Sequence, residues 1–264
     1  MKKKVRDGAL KVITICLLAI IIVCACKIGT TIWRYHTARQ GFDKVAQTAN
    51  IDSEQFTGVI DFNALQAENP DICGWIYQKN TMINYPIVQG TDNEQYLHRD
   101  IYGKSSVSGS IFMDFRNRND FNDFHTIIYG HHMNDGSMFK SLRGYTKKEN
   151  YYTDHKKFEL ITPEKKYHLQ VFSAYITPAT SSAYTYQFRD DTEKMEFINN
   201  ALKQSQIKTD DVHVSLDDKV ITLSTCAYDY EQARYVVVCK VVPWTNTEIR
   251  KGEEIQKKIN ASQK

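Results

Sequence analysis

The chain has 264 residues, of which 42% are hydrophobic, 12% aromatic and 25% charged, and its formal net charge at pH 7 is +3. This length accommodates one domain of about 200 residues with its own core, plus additional segments. The small net charge, without a stripe of basic residues interleaved with aromatic ones, argues against a nucleic-acid-binding protein.

The amino-terminal segment predicts a membrane anchor. Four basic residues lie within the first six positions and precede a mostly apolar stretch from 12 to 33. A helix of about 20 apolar residues spans a bilayer, Trp33 is typical of the headgroup region, and Lys27 can snorkel toward it. Because basic flanks stay inside, residues 1–33 are predicted to be a cytoplasmic basic tail and a transmembrane signal anchor. The catalytic part would then be extracellular, on a single-pass protein of the cell membrane.

Two other interpretations of this segment remain open. A cleaved signal peptide needs small residues around its cleavage site, and Val23-Cys24-Ala25 matches that pattern poorly. The same residues followed by Cys26 have some similarity to a lipoprotein box, in which Cys26 would carry the lipid. An uncleaved signal anchor is the preferred interpretation.

A polar segment with helical character, residues 34–68, follows the anchor. Asp61 is a suitable N-cap for a short helix over residues 62–68. The pair Asn69-Pro70 ends that helix, because a residue before proline disfavours helical geometry. We therefore expect a helical linker ahead of a domain that begins at residue 69.

Residues 69–248 are predicted to form a mainly β domain with peripheral helices. Runs of β-branched and aromatic residues indicate eight strands, enough to close a small barrel: residues 82–88, 110–113, 126–129, 157–161, 167–177, 212–214, 219–225 and 235–242. Apolar residues at helical spacing predict one helix over residues 192–206, with a capped start supplied by Asp190, Asp191 and Thr192. Residues 249–264 are expected to be a charged, solvated C-terminal tail.

Three residues of complementary chemistry stand at the ends of predicted strands. Cys226 ends one apolar run, and Arg234 opens the next after a loop of seven residues. Such a loop is short enough for the two strands to be antiparallel neighbours. His131 ends another strand-like run. A thiolate that attacks, an imidazole that protonates the leaving amine and a cation for the oxyanion together indicate covalent acyl transfer.

These residues resemble those of the sortases, membrane-anchored cysteine transpeptidases of Gram-positive bacteria. The similarity is carried by Thr222-Leu223-Ser224-Thr225-Cys226 with Arg234, and by Tyr129-Gly130-His131, and it extends from about residue 69 to residue 242. Residues 69–76, 84–89 and 109–114 are similar to class B in particular. The resemblance implies a closed eight-stranded sortase-type β-barrel, an N-terminal helical segment and a helix in the connection before the last two strands.

The resemblance also implies a transpeptidation without a cofactor. Cys226 would cleave a C-terminal sorting signal after its threonine, His131 would transfer protons, and Arg234 would stabilise the oxyanion or align the peptide. An amine of a peptidoglycan precursor or cross-bridge would then resolve the thioester acyl-enzyme. The expected partners are surface proteins that bear a sorting signal, cell-wall amines and the cytoplasmic membrane, but no nucleic acid.

Substrate-binding positions follow from the same resemblance, which assigns seven residues to the sorting-signal groove and its surroundings: Asn93, Leu97, Tyr129, Thr180, Tyr184, Thr185 and Ser224. Barrel packing is an alternative for the tyrosines, because the chain has 16 of them. The chain departs from some class B members at Ala227, which stands where a carboxylate can occur.

Two choices among residues stay open at this level. Adjacent residues that leave a strand point in opposite directions, so only one of His131 and His132 is expected to face Cys226. The resemblance selects His131, since the catalytic histidine of sortases directly follows the glycine. Cys73 and Cys239 are expected to be buried core residues, although a disulfide between them is possible. No cysteine and histidine spacing of the zinc type occurs, so no metal site is predicted.

Two other enzyme types and a binding module are alternatives for the function. A pilin-polymerising sortase of another class would use a lysine of a second pilin as its amine. A secreted cysteine protease or wall hydrolase would be expected to orient its imidazole with Asn or Asp rather than to place Arg near the nucleophile. A non-catalytic wall-binding module would not need the Cys226 thiol.

Overall fold

Eight strands close into a barrel in the computed structural model, which describes residues 2–49, 56–209, 211–227 and 229–262. Their spatial order is β1-β2-β3-β4-β7-β8-β6-β5. The strands are β1 (Ile72–Tyr77), β2 (Asn84–Val88), β3 (Ile111–Met113), β4 (His125–Tyr129), β5 (Lys157–Ile161), β6 (Lys166–Pro178), β7 (Val220–Cys226) and β8 (Ala233–Pro243). The predicted closed barrel is thereby confirmed.

The described residues contain six α-helices besides the barrel: α1 (Lys2–Thr48), α2 (Phe62–Glu68), α3 (Gly144–Lys147), α4 (Tyr151–Asp154), α5 (Asp191–Gln204) and α6 (Asn246–Ser262). The two predicted caps are present. The Asp61 side chain accepts a hydrogen bond from the Ala64 backbone N–H at 2.9 Å, and Asp190 accepts one from the Glu193 N–H at 3.0 Å. The sequence therefore predicted the starts of α2 and α5 within a residue.

Apolar clusters on both sides of the barrel wall hold these elements together. Leu223 and Val237 point into the barrel interior cluster, whereas their neighbours Val220 and Val236 pack outside it under α5. A third cluster around the fully buried Trp75 anchors α2 and the end of α1. Burial of each large apolar side chain contributes about 1.5–3 kcal/mol, and strands β7 and β8 supply such side chains to the clusters on both sides of the wall.

The strand predictions contain two errors, one strand too many and one strand missed. Residues 212–214 form no strand, because the His213 carbonyl accepts a hydrogen bond from the Lys240 side chain rather than from a neighbouring strand. Strand β1 was missed although its residues are apolar. It is buried on both faces and its register shifts at Gly74, so it lacks the alternation that marks a strand in a sequence.

Helix α1 continues through the boundary expected at residue 33. Its segment Ile13–Trp33 is 21 residues long, apolar enough to cross a membrane and not buried against the rest of the chain. Farther along the same helix, Val45 and then Ala49 just after its end are buried in the cluster around Trp75. The apolar stretch is thus joined to the barrel by unbroken helix. Of the predicted linker, residues 50–55 lie outside the described part of the chain.

The C-terminal residues differ from the expected solvated tail. Helix α6 starts before residue 249 and packs on the domain. Gly252 lies so close to the Thr57 carbonyl that a Cβ atom would collide with it, and the Thr57 hydroxyl donates to Gln256 Oε1 at 2.6 Å. The helix buries one narrow face and exposes the rest. Because most of its residues are exposed and charged or polar, the sequence suggested a solvated tail. Residues 263–264 lie outside the described residues.

His168 links α6 to the barrel. Its Nδ1 lies 2.6 Å from Glu159 Oε2 on β5, and its Nε2 lies 3.0 Å from Glu248 Oε1 on α6. Burial would lower the pKa of His168, but the hydrogen bonds and negative charges of the two glutamates outweigh burial and raise it. A histidine with a raised native pKa stabilises the fold below its unfolded pKa of about 6.5 and loses that contribution as the pH rises through the native pKa.

We therefore expect the His168→Gln substitution to have a pH-dependent effect on stability. The free energy of unfolding should fall by about 1–2 kcal/mol at about pH 6, as for hydrogen bonds between charged groups, and by less at about pH 9. Denaturant unfolding of both proteins at the two pH values measures the difference. His213→Gln, at an exposed histidine, is the matched control. An effect of His168→Gln that grows with pH would contradict the assigned ion pairs.

Candidate active site

Strand pairing brings the three candidate catalytic residues to one edge of the sheet. Strands β4 and β7 are parallel, with Tyr129 opposite Ser224, so both chains leave the sheet at the same end. Strands β7 and β8 are antiparallel, with Cys226 opposite Arg234. His131 follows β4 by two residues, as Cys226 follows Ser224. The antiparallel neighbours predicted from the short loop are confirmed.

A cavity of about 730 Å³ opens at this edge, within the range of ligand-binding pockets. Cys226, His131 and Arg234 all line it. The seven residues assigned to substrate binding line the same cavity: Asn93, Leu97, Tyr129, Thr180, Tyr184, Thr185 and Ser224. The fold therefore brings all ten candidate residues together, while their individual roles stay predictions.

The His131 imidazole is held by the backbone of the connection between β2 and β3. Its Nε2 lies 2.7 Å from the Leu97 carbonyl oxygen. Since a carbonyl can only accept, Nε2 carries a proton, and Nδ1 is the nitrogen left for proton exchange. Burial lowers the pKa of His131; the Leu97 carbonyl opposes this and the charge of His98, whose ring stacks at 5.7 Å, adds to it.

Two glycines permit this close packing around His131. Gly109 has a φ of +56°, and a Cβ atom there would collide with the Leu97 carbonyl oxygen. At Gly130, the Ile111 side chain and the Phe139 ring leave no room for a Cβ atom. The position of the imidazole thus depends on close approach of backbone at two points where only glycine fits.

His132 takes a different environment from its neighbour. It forms an isolated β-bridge with Met138 and is not among the residues that line the cavity. Burial, followed by the positive charges of Lys140 and Arg143, lowers the pKa of His132 to about 4. It is therefore neutral near pH 7, and its position makes it a peripheral residue.

The Arg234 guanidinium faces the cavity with donors to spare. Its Nη1 donates to the Ala233 carbonyl at 3.2 Å. Within the described residues it has no carboxylate as an ion-pair partner. Its planar donors can therefore bind an oxygen of a ligand beside Cys226.

A buried carboxylate, Asp114, organises one wall of the cavity, which the sequence did not predict. Its oxygens accept hydrogen bonds from Arg116 at 2.8 Å, from the Tyr129 hydroxyl at 2.9 Å and from Asn93 Nδ2 at 3.1 Å. Burial would raise the pKa of Asp114, but these hydrogen bonds outweigh it and lower the pKa. Arg116 also lies 4.1 Å from the centre of the Tyr186 ring.

The adjoining part of the wall is aromatic. The Tyr184 hydroxyl lies 2.9 Å from Ser224 Oγ, and its ring is parallel to that of Tyr129 at 6.2 Å. Burial raises the pKa of Tyr184 to about 12, so it remains a neutral hydroxyl. The cavity residues that sequence reasoning missed are Glu94, Phe112, Arg116, Gly130, Ala179, Ser181, Tyr186, Gln187 and Thr225.

The cysteines outside α1 occupy two kinds of environment. Cys226 is half-buried in the cavity wall, whereas Cys73 and Cys239 are buried. All three are free thiols, so Cys73 and Cys239 form no disulfide. Burial raises the pKa of Cys73 to about 12 and that of Cys239 well above its ordinary value. Cys226 is therefore the accessible nucleophile among the three.

Comparison with known proteins decides the family. The family model for the sortase domain matches residues 78–242. The chain belongs to the sortase family. Sortase B of Staphylococcus aureus (strain NCTC 8325 / PS 47) is 36% identical over 237 residues, which cover 88% of this chain and 96% of the relative. Sortase B of Listeria monocytogenes serovar 1/2a is 34% identical over 248 residues, 90% of this chain and 99% of the relative.

A solved structure supports the same class. The Staphylococcus aureus sortase B–substrate complex has a TM-score of 0.72 and 35% identity, over 81% of this chain and 100% of that chain. This sortase is accordingly of class B and is a cysteine transpeptidase. The matches confirm the resemblance to class B sortases and the predicted type of enzyme. The sortase family acts on surface proteins and on amines of the cell wall.

Proposed function

We propose that this sortase cleaves a C-terminal sorting signal after its threonine, holds the protein as a thioester on Cys226 and transfers it to a peptidoglycan amine. The observation that carries this proposal is the convergence of Cys226, His131 and Arg234 on one cavity. These are the groups that covalent acyl transfer requires: a nucleophile, an acid and base, and a cation for the oxyanion.

In the first step, the Cys226 thiolate attacks the threonine carbonyl carbon and forms a C–S bond. The negative charge that develops on the carbonyl oxygen is stabilised by the Arg234 guanidinium. The C–N bond to the next residue then breaks, and the departing amine takes a proton from the charged imidazole of His131. With Nε2 bonded to the Leu97 carbonyl, Nδ1 is the donor in this step.

In the second step, an amine of a peptidoglycan precursor or cross-bridge attacks the thioester carbon. Neutral His131 accepts a proton from the amine, the C–S bond breaks, and the electron pair returns to Cys226 as a thiolate. An amide joins the surface protein to the cell wall, and the enzyme returns to its starting protonation state. Water in place of the amine would release the protein by hydrolysis.

The proposal includes a membrane location with the barrel outside the cell. It is supported by the apolar segment Ile13–Trp33 and by the basic residues before it, which favour a cytoplasmic amino terminus. The unbroken helix from this segment to the buried Val45 would keep the barrel near the membrane surface. Both the retained tail of a surface protein and a lipid-linked amine are confined there.

The cavity wall favours a sorting signal with proline at its second position. Leu97, Tyr129 and Tyr184 present an apolar and aromatic surface that suits a proline ring, and proline would bend the peptide toward Cys226. We therefore expect signals of the form x-Pro-x-Thr followed by Gly or Asn. Because all three signal types contain this proline, the ranking among them rests on the resemblance to class B, which leads us to expect faster cleavage of NPQTN or (S/P)PxTG than of LPxTG.

The test is to incubate the enzyme with the three peptide types, trap the thioester with hydroxylamine and identify the products by mass spectrometry. The Leu97→Ala variant should lose part of the preference, whereas Leu202→Ala, on the exposed face of α5, should retain it. Exclusive cleavage of LPxTG, or an unchanged preference in Leu97→Ala, would refute the proposed specificity. A thioester on none of the peptides would refute the proposed reaction.

A further inference from the structure

The cavity contains one acidic side chain for which the proposed mechanism has no use, Glu94. It is exposed and lines the cavity beside Asn93 and Leu97. Among the described residues, its carboxylate has no partner in an ion pair or a side-chain hydrogen bond. A carboxylate in a binding cavity that is left unpaired by the protein is available to a ligand.

The neighbouring polar side chain is already occupied by the protein. Asn93 donates through Nδ2 to Asp114 at 3.1 Å and accepts through Oδ1 from the Phe115 backbone N–H at 3.1 Å. Asn93 therefore holds two segments of the cavity wall together, and one N–H and one Oδ1 lone pair of its amide are left for a peptide. Glu94 is the next residue, and it supplies a charged acceptor in this turn.

The two arginines that line the cavity differ in their ion pairing. The guanidinium of Arg116 is matched by the carboxylate of Asp114 through two hydrogen bonds of 2.8 Å. Arg234, which lies opposite Cys226, has no carboxylate partner in the part of the chain that the structure describes. Among the described residues, the cavity thus has a cation without an ion-pair partner beside the nucleophile. It also has an anion without an ion-pair partner, Glu94, on a different loop.

The chain places Glu94 one turn before Leu97, whose backbone N–H donates to the Glu94 carbonyl at 3.2 Å. The Leu97 carbonyl in turn contacts His131, so Leu97 lies between Glu94 and the catalytic residues along this loop. The first residue of an x-Pro-x-Thr signal lies three residues before the threonine and therefore at most about 10 Å from it. A proline packed against Leu97 would bring that first residue to the part of the lining that contains Glu94.

We infer that Glu94 reads the residue that precedes the proline of the sorting signal. Its carboxylate selects a cationic or hydrogen-bond-donating side chain, such as Lys, Arg, Asn or Gln, and disfavours Asp and Glu at that position. This inference rests on the proposed function, because it takes the threonine of the signal to be bound at Cys226. It assigns to Glu94 a role in specificity and none in the chemical steps.

The experiment compares three peptides that differ only at the first motif position, which is Lys, Gln or Glu. Hydrolysis without an added amine is measured with the full chain in detergent micelles, for the unmodified enzyme and for Glu94→Gln and Glu94→Lys. The unmodified enzyme should have a kcat/KM about fivefold higher for the Lys peptide than for the Glu peptide, the size expected for an exposed ion pair. Glu94→Gln should reduce this ratio toward one, and Glu94→Lys should invert it.

Two controls separate this role from a structural one. Glu254→Lys makes the same change of charge on an exposed residue of α6, outside the cavity, and should keep the original ratio. High salt should reduce the ratio in the unmodified enzyme, because exposed charges are screened, whereas a change in packing would not respond in this way.

The remaining outcomes overturn the inference. One is a Lys-to-Glu ratio that stays within about twofold of the original in Glu94→Lys. Another is an effect of Glu94 that is seen only when a glycine peptide is added as acceptor, which would assign the carboxylate to the amine. If the proposed function itself fails, no thioester forms on any peptide with any variant, and the inference falls with it.

Discussion

The Cys226→Ala variant is expected to lose all peptide cleavage. Alanine removes the sulfur that forms the thioester, and no other thiol of the domain can replace it. Cys73 and Cys239 are buried in the barrel, and burial raises the pKa of both, so neither supplies an accessible thiolate. The loss should be complete rather than partial, because Cys226 contributes the one thiol among the described residues of the cavity lining and the proposed intermediate is a thioester.

Cleavage of a sorting peptide, followed by mass spectrometry of the hydroxylamine-trapped product, measures this effect. The matched controls are Cys73→Ala and Cys239→Ala, which should retain activity and lose only some thermal stability, because each removes a small buried side chain. Substantial cleavage by Cys226→Ala would overturn the assignment of the nucleophile.

The His131→Ala variant is expected to lose at least about a hundredfold in rate, as is usual for removal of a general acid and base. His131 lines the cavity with Cys226, and its Nε2 is fixed by the Leu97 carbonyl. His132→Ala should change the rate only slightly. That imidazole is outside the cavity lining, and with its pKa lowered to about 4 it is neutral at the pH of the assay.

Steady-state kinetics of the two variants with one peptide tests this ranking, and thermal unfolding checks that both are folded. The adjacent positions make each variant the control for the other. If His132→Ala were the more damaged enzyme while its unfolding temperature stayed normal, the roles of the two histidines would have to be exchanged.

Much of the barrel was predictable because its strands carry strong local signals. The β-branched and aromatic runs at β7 and β8, and the helical spacing of α5, match the observed elements closely. The errors occurred where the local sequence pattern and the tertiary environment disagree. Strand β1 is buried on both faces and therefore lacks alternation, and residues 212–214 have a strand-like pattern without a neighbouring strand.

The candidate site was predictable to a similar extent. Residue type, position at strand ends and resemblance to sortases identified Cys226, His131 and Arg234, and the cavity contains all three. The Asp114 wall and the position of Glu94 were not predictable. They depend on contacts between segments more than ten residues apart, such as the bond from Asn93 to Asp114, and no periodic pattern in a sequence records such contacts.

The sequence by itself determined the family, the candidate nucleophile and the strands that present it, because chemical identity and hydrophobic periodicity are local properties of a chain. Tertiary structure decided which groups remain free in the cavity. Arg116 is matched by Asp114, and Asn93 is occupied by its neighbours, whereas Arg234 and Glu94 remain unpaired among the described residues. The availability of a charge to a substrate depends on which partners surround it after folding, and that arrangement exists only in three dimensions.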